Sequence, residues 1–148
     1  MLRAINDAGL TLIKTFEGCR LDAYQDVAGI WTIGYGHTHG VCAGMTLTQD
    51  QAEQALAADL SSTVAAVDRA LEGAKTTDNQ FAAMVALCYN IGLGNFASST
   101  VLREHRADQT LLAANAFLMW NKSTINGVLT VVAGLTNRRN AERKLYLT

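Results

Sequence analysis

Helical periodicity governs most of this 148-residue chain and stops between Leu21 and Tyr35. There the residues turn β-prone, LDAYQD and then IWTIGY with VAG between them, which reads as a small antiparallel hairpin or meander. Before it, Asn6 or Asp7 can cap a helix whose apolar Leu10, Ile13 and Phe16 recur at helical spacing. Gly18 is placed to end that helix, which delivers Glu17 at its C-terminal end. After it, Thr48-Gln49-Asp50-Gln51 has the form of a capping box and opens a long alanine-rich helical run that ends near Gly73.

A second capping box, Thr77-Asp78-Asn79-Gln80, precedes FAAMVALCYNI, whose near-continuous apolar character predicts a central buried helix closed by Gly92 and Gly94. Shorter helices are expected around 98–106 and from Asp108 to Trp120, and LTNRRNAERKLYL makes a basic amphipathic finish. Asn126-Gly127, flanked by Thr124, Ile125, Val128 and Leu129, is a two-residue hairpin signal. The fold class is therefore α+β: a β-containing lobe over about residues 15–47, a connecting helix over about 48–73, and a helical lobe over about 74–148 that the N-terminal helix joins. Two such lobes would leave a cleft suited to an extended substrate.

The length fits one domain, 1–148, and 49% apolar with 17% charged residues excludes disorder. Twelve basic against 13 acidic side chains argue against a general nucleic-acid binder. The charge is uneven, since residues 103–148 hold seven basic and three acidic side chains while 41–102 hold two and six. No stretch approaches the roughly 20 apolar residues of a membrane span, so no stable membrane insertion is expected. The N-terminus has no signal-peptide core, and the odd trio Cys19, Cys42 and Cys88 suggests reduced, structural thiols; both point to a cytoplasm.

Chemistry gathers around Glu17, Asp26 and Thr32, expected at a helix end, a turn and the next strand. Glycoside hydrolysis uses two carboxyl groups in different states, one donating a proton to the leaving oxygen and one ionised, and a hydroxyl beside the second can orient water. The plainer reading leaves Glu17 solvated at a helix terminus whose dipole it opposes.

The run Phe16-Glu17-Gly18-Cys19-Arg20-Leu21-Asp22-Ala23-Tyr24-Gln25-Asp26, followed by Gly29-Ile30-Trp31-Thr32-Ile33-Gly34-Tyr35-Gly36-His37-Thr38, resembles the N-terminal signature of phage-type lysozymes. More narrowly, it is similar to the T4-like and P22-like endolysins of glycoside hydrolase family 24. That family's triad is a Glu, an Asp nine positions on and a Thr six further, which Glu17, Asp26 and Thr32 match. Leu87-Cys88-Tyr89-Asn90-Ile91-Gly92, Asn95-Phe96, Ser98-Ser99-Thr100, Trp120, Gly134-Leu135, Arg138-Arg139, Glu142 and Leu145-Tyr146 look like later family motifs, so the resemblance spans essentially the whole chain.

The resemblance implies a lysozyme fold and cleavage of the β-1,4 bond between N-acetylmuramic acid and N-acetylglucosamine in peptidoglycan. Glu17 would be the general acid, and Asp26 and Thr32 would position the attacking water. Gly36, Thr38, Tyr89 and Ser99 would contact substrate, and core packing is an equal reading for Tyr89 and Asn90. It further implies a monomer with no cofactor and no metal, residing in the host cytoplasm until a holin releases it to the periplasm and cell wall. Family members with an N-terminal signal-anchor escape that dependence; this chain reads as lacking one.

Other groups have blander readings. Gly34 to Gly40 misses a dinucleotide-binding pattern and reads as a backbone-exposed, sugar-contacting loop. His37, His39 and Cys42 match no common zinc spacing, and His37 is expected to brace an acid on the long helix. Arg138, Arg139, Arg143 and Lys144 read as a solvated helix face, with attraction to anionic wall polymer as the functional alternative. The rivals to a muramidase are a non-catalytic glycan-binding or virion protein on the same fold and an enzyme acting on chitin-like polymers.

Overall fold

A computed structural model describes residues 3–148. The order is α1 (Asp7–Glu17), β1 (Arg20–Gln25), β2 (Trp31–Gly34), α2 (Gln49–Ala70), α3 (Asp78–Ile91), α4 (Leu93–Ala97), α5 (Thr100–Arg106) and α6 (Thr110–Ala116). A 3₁₀ turn (Phe117–Trp120), β3 (Lys122–Ile125), β4 (Val128–Val131) and α7 (Ala133–Leu147) complete it. The chain divides into two compact units, residues 13–62 and residues 1–12 with 63–148.

In the first unit, β1 and β2 pair antiparallel with Tyr24 opposite Thr32 and Gln25 opposite Trp31. The register is irregular between Arg20 and Tyr24, and Asp22 bridges to Thr46 outside the strands. Its buried apolar side chains are Ile13, Ile33, Tyr35, Ala52, Leu56 and Leu60. The capping box of α2 forms in both directions: the Thr48 amide donates to Gln51 Oε1 at 2.9 Å and the Gln51 amide to Thr48 Oγ1 at 3.2 Å.

The second unit is built around α3, whose residues from Phe81 to Cys88 are all buried. Eight consecutive buried residues leave no solvated face, which is why the segment is apolar rather than amphipathic. Its capping box at Thr77 and Gln80 is complete, and Gly92 ends it with φ +89°. Gly94 does not help to close α3; it lies inside the short α4. The Asn126-Gly127 turn has both residues at positive φ, 51° and 78°, and joins β3 to β4 with Ile125 opposite Val128.

The basic finish departs from its sequence reading. Arg138 and Arg139 of α7 are buried, not solvated, because both meet the fully buried Glu142. Arg139 Nε lies 2.6 Å from Glu142 Oε1 as an ionic contact, and its other nitrogens donate to Asn90 Oδ1 at 2.8 Å and the Trp120 carbonyl at 3.3 Å. Arg138 reaches Glu142 Oε2 at 3.3 Å and the Ala86 carbonyl at 3.2 Å. Burial pushes Glu142 up to about 7, against the pull of the two guanidinium groups.

Candidate active site

Glu17 is the last residue of α1 and half-buried. The helix stops there because Gly18 takes φ +67°, and the Gly18 amide closes on the Lys14 carbonyl at 3.0 Å. One turn back, Lys14 pairs with Glu53 of α2, and that contact, chiefly, holds the Glu53 carboxyl below its ordinary range. Gln49 donates to the Tyr35 hydroxyl at 2.9 Å and to Glu53 Oε1 at 3.2 Å, so α1, α2 and the segment after β2 share one polar cluster.

Gly36 lies against the Glu17 carboxyl. It has φ +81°, and a Cβ built on it would lie 3.3 Å from Glu17 Oε2. Only glycine meets both the left-handed backbone and the close approach without cost. The turn carrying it is tied at its ends by Ile33 and His37, whose amides and carbonyls exchange bonds of 2.8 and 2.9 Å. His37 Nδ1 sits 2.8 Å from Asp59 Oδ2 on α2, the brace expected from the sequence. Along this loop Gly34 and Tyr35 are buried, Gly36 and His37 are half-buried, and Thr38 to Gly40 are exposed.

Asp26 opens the turn between β1 and β2. One carboxylate oxygen, Oδ1, accepts from the amides of Ala28 at 2.8 Å and Ile30 at 2.9 Å, which fixes the side chain as an Asx-type turn. The Ile30 carbonyl in turn accepts the Asp26 amide and the Thr32 hydroxyl, each at 2.9 Å. Gln25 steadies the same turn by donating to the Gly29 carbonyl at 3.2 Å. Thr32 is buried, and its proton is spent on Ile30, so its oxygen is left to accept. Asp26 Oδ2 takes no hydrogen bond among the described residues, which leaves it also as an acceptor.

Glu17, Asp26, Thr32, Gly36 and Thr38 all belong to the unit formed by residues 13–62. Tyr89, half-buried near the end of α3, and Ser99 belong to the other. Ser99 is buried, and its hydroxyl caps α5 by accepting the Leu102 amide at 3.2 Å. Of the thiols, Cys88 is buried, and burial pushes it up to about 11; Cys19 and Cys42 are exposed. Among the described residues, no cluster of three or more His, Cys, Asp or Glu is placed to hold a metal. Sequence reasoning missed the Lys14, Glu53, Tyr35 and Gln49 cluster and the part of Ile30, which contributes only backbone atoms and so leaves no side-chain signal.

A family model described as phage lysozyme matches residues 14–142. The chain is 41% identical over 142 residues to an endolysin of Acyrthosiphon pisum secondary endosymbiont phage 1, covering 96% of this chain and 97% of that one. The structure of an endolysin from Escherichia coli O157:H7 phage FAHEc1 superposes with a TM-score of 0.93 at 44% identity, covering 98% of this chain and 94% of its own. The muramidase domain of SpmX from Asticaccaulis excentricus also gives 0.93, at 40% identity and 99% of both chains. The fold is the α+β lysozyme fold, and the chain belongs to the phage lysozyme family, whose endolysins hydrolyse peptidoglycan.

Proposed function

We propose that the chain is a muramidase that hydrolyses the β-1,4 bond between N-acetylmuramic acid and N-acetylglucosamine, with Glu17 as general acid and Asp26 and Thr32 acting on water. The observation that carries this reading is the shared use of Ile30 by Asp26 and Thr32. Both groups act as acceptors, so a water between them directs its two O–H bonds at Asp26 Oδ2 and Thr32 Oγ1 and presents a lone pair to the anomeric carbon. As the glycosidic bond breaks, the Glu17 proton passes to the leaving oxygen. Asp26 opposes the positive charge that develops on the sugar and takes up the water proton. Gly36 leaves room for the Glu17 carboxyl, and the exposed Thr38 is a candidate polar contact for the glycan. Tyr89 is a further candidate for glycan contact. Ser99, spent on capping α5, is a weaker one.

A water-directing pair favours hydrolysis over intramolecular transglycosylation, which needs no water. In keeping with the sequence reading, the enzyme works as a monomer that accumulates in the host cytoplasm and depends on a holin for release to the wall.

The test is product analysis. Purified protein acting on murein sacculi is expected to release muropeptides with free reducing ends. Glu17→Gln is expected to abolish both that release and the lysis of permeabilised Gram-negative cells while leaving thermal stability in place. Products ending in 1,6-anhydro sugars would replace the hydrolytic reading by transglycosylation. Binding to sacculi without product would favour the non-catalytic rival.

A further inference from the structure

From Gln109 to the end of the chain the only acidic side chain is Glu142, and it is fully buried against two arginines. The exposed charges of this stretch are therefore Lys122, Lys144 and the half-exposed Arg143, none of which takes part in a described ion pair. The same stretch carries large aliphatic side chains in solvent: Leu111 at 61%, Leu112 and Met119 on α6 and the 3₁₀ turn, then Ile125, Val128, Leu129 at 66% and Val131 on the β3–β4 hairpin. Every hairpin residue but Thr130 is exposed. Cross-strand register puts Lys122 beside Val131 and Thr124 beside Leu129 on one face, with Ile125 beside Val128 on the other. Arg143 joins the α6 surface through a 3.0 Å bond to Asn115. So many exposed aliphatics within one stretch of chain mark a surface for interaction.

We propose that α6, the 3₁₀ turn and the β3–β4 hairpin form a surface that rests on an anionic phospholipid bilayer. The chemistry selects this occupant. A second copy would bring together two stretches whose exposed charged side chains, from Gln109 onward, are all cationic, which charge disfavours. A glycan would call for exposed aromatic planes, whereas the exposed large side chains of this surface are aliphatic, with Trp120 half-buried and Phe117 buried. Aliphatic side chains with Lys and Arg among them, and no exposed acidic side chain from Gln109 onward, match an anionic headgroup layer. No described helix is long and apolar enough to cross a membrane, so the contact is peripheral. Its role would be to hold the enzyme at the membrane facing its polymer.

The test is co-sedimentation of the full chain with phosphatidylglycerol-containing vesicles and with pure phosphatidylcholine vesicles, over a salt series. Expected is binding to the anionic vesicles that weakens with salt and exceeds binding to neutral ones by about tenfold or more. Val128→Ser with Leu129→Ser is expected to cut that binding by about tenfold, with release of soluble muropeptides unchanged. Lys122→Glu tests the charge independently and should weaken anionic binding alone. Equal binding to both vesicle types, no binding, unchanged binding by the double variant, binding to lipopolysaccharide alone, or a lipid-free dimer that buries the hairpin would each overturn the proposal.

Discussion

Asp26 and Thr32 share one acceptor, the carbonyl oxygen of Ile30, which takes the backbone amide of the first and the hydroxyl of the second at 2.9 Å each. Because the Ile30 amide also returns to Asp26 Oδ1, the residue fixes the carboxylate and the hydroxyl as a pair. Positioning of this kind spares the reaction the entropy of arranging its groups.

Thr32→Val keeps the shape of the side chain and removes the acceptor. It is expected to lower kcat about 10²-fold or more, in the range typical of one positioned proton-transfer partner, and to cost about 1 kcal/mol of stability for the lost bond to Ile30. Thr32→Ser keeps the oxygen and should recover most of the rate. Steady-state kinetics on sacculi with parallel urea titrations separate the two effects. A Thr32→Val enzyme at full rate would remove Thr32 from the water-directing pair.

Gly36→Ala should damage the rate more than its size suggests. Its positive φ costs any L residue about 1 kcal/mol, and the new methyl would press on Glu17 Oε2 from 3.3 Å. The expected outcome is a modest loss of Tm with a fall in kcat and little change in KM, since the acid is displaced while glycan contacts are kept. A KM effect alone would place Gly36 in substrate binding and not against the acid.

Glu142→Leu tests the buried ion cluster. It leaves Arg138 and Arg139 buried without their common carboxylate and is expected to cost about 3–5 kcal/mol, measured by urea unfolding at pH 8, above the value of about 7 to which burial raises Glu142. A loss under about 1 kcal/mol would mean that Asn90 and the Ala86 and Trp120 carbonyls satisfy the guanidinium groups unaided.

Most of the architecture was legible because it rests on local signals. Thr48 and Thr77 declare their helices through boxed partners three residues on, Asn126-Gly127 declares its turn, and the unbroken apolar run of α3 declares its burial. The triad spacing pointed to Glu17, Asp26 and Thr32, but the device that pairs two of them is a main-chain carbonyl, which any residue at position 30 supplies. Arg138 and Arg139 escape a sequence reading for a related reason. A basic run looks solvated until one carboxylate on the same helix turns inward with it, and i, i+3 or i, i+4 spacing fits a surface pair equally well.

His105 makes stability depend on pH in a direction that its partners fix. Its ring is buried, with Nδ1 at 2.6 Å from the Tyr146 hydroxyl and Nε2 at 2.8 Å from Thr76 Oγ1. Thr76 gives its own proton to the Ala74 carbonyl at 2.8 Å, so Nε2 donates to Thr76 and Nδ1 accepts from Tyr146, which is the neutral ring. Burial lowers its pKa below 6.5, with nearby Asp108 opposing and Arg3 adding to the shift. Above pH 6.5 the ring is neutral in folded and unfolded chains alike, and its contribution is fully present. As pH falls through 6.5 the unfolded chain gains a proton that the folded chain resists, and the contribution is lost until the folded value is reached. Glu142 runs the other way, because its raised value favours the folded state at low pH and that advantage fades as pH rises from 4.5 towards 7. The measurement is therefore the difference in unfolding free energy between the natural chain and His105→Gln, in which the contribution of Glu142 cancels. That difference should be flat from pH 8 to 7 and shrink steadily below 6.5. A difference that grows on acidification would mean the folded chain holds His105 as the imidazolium.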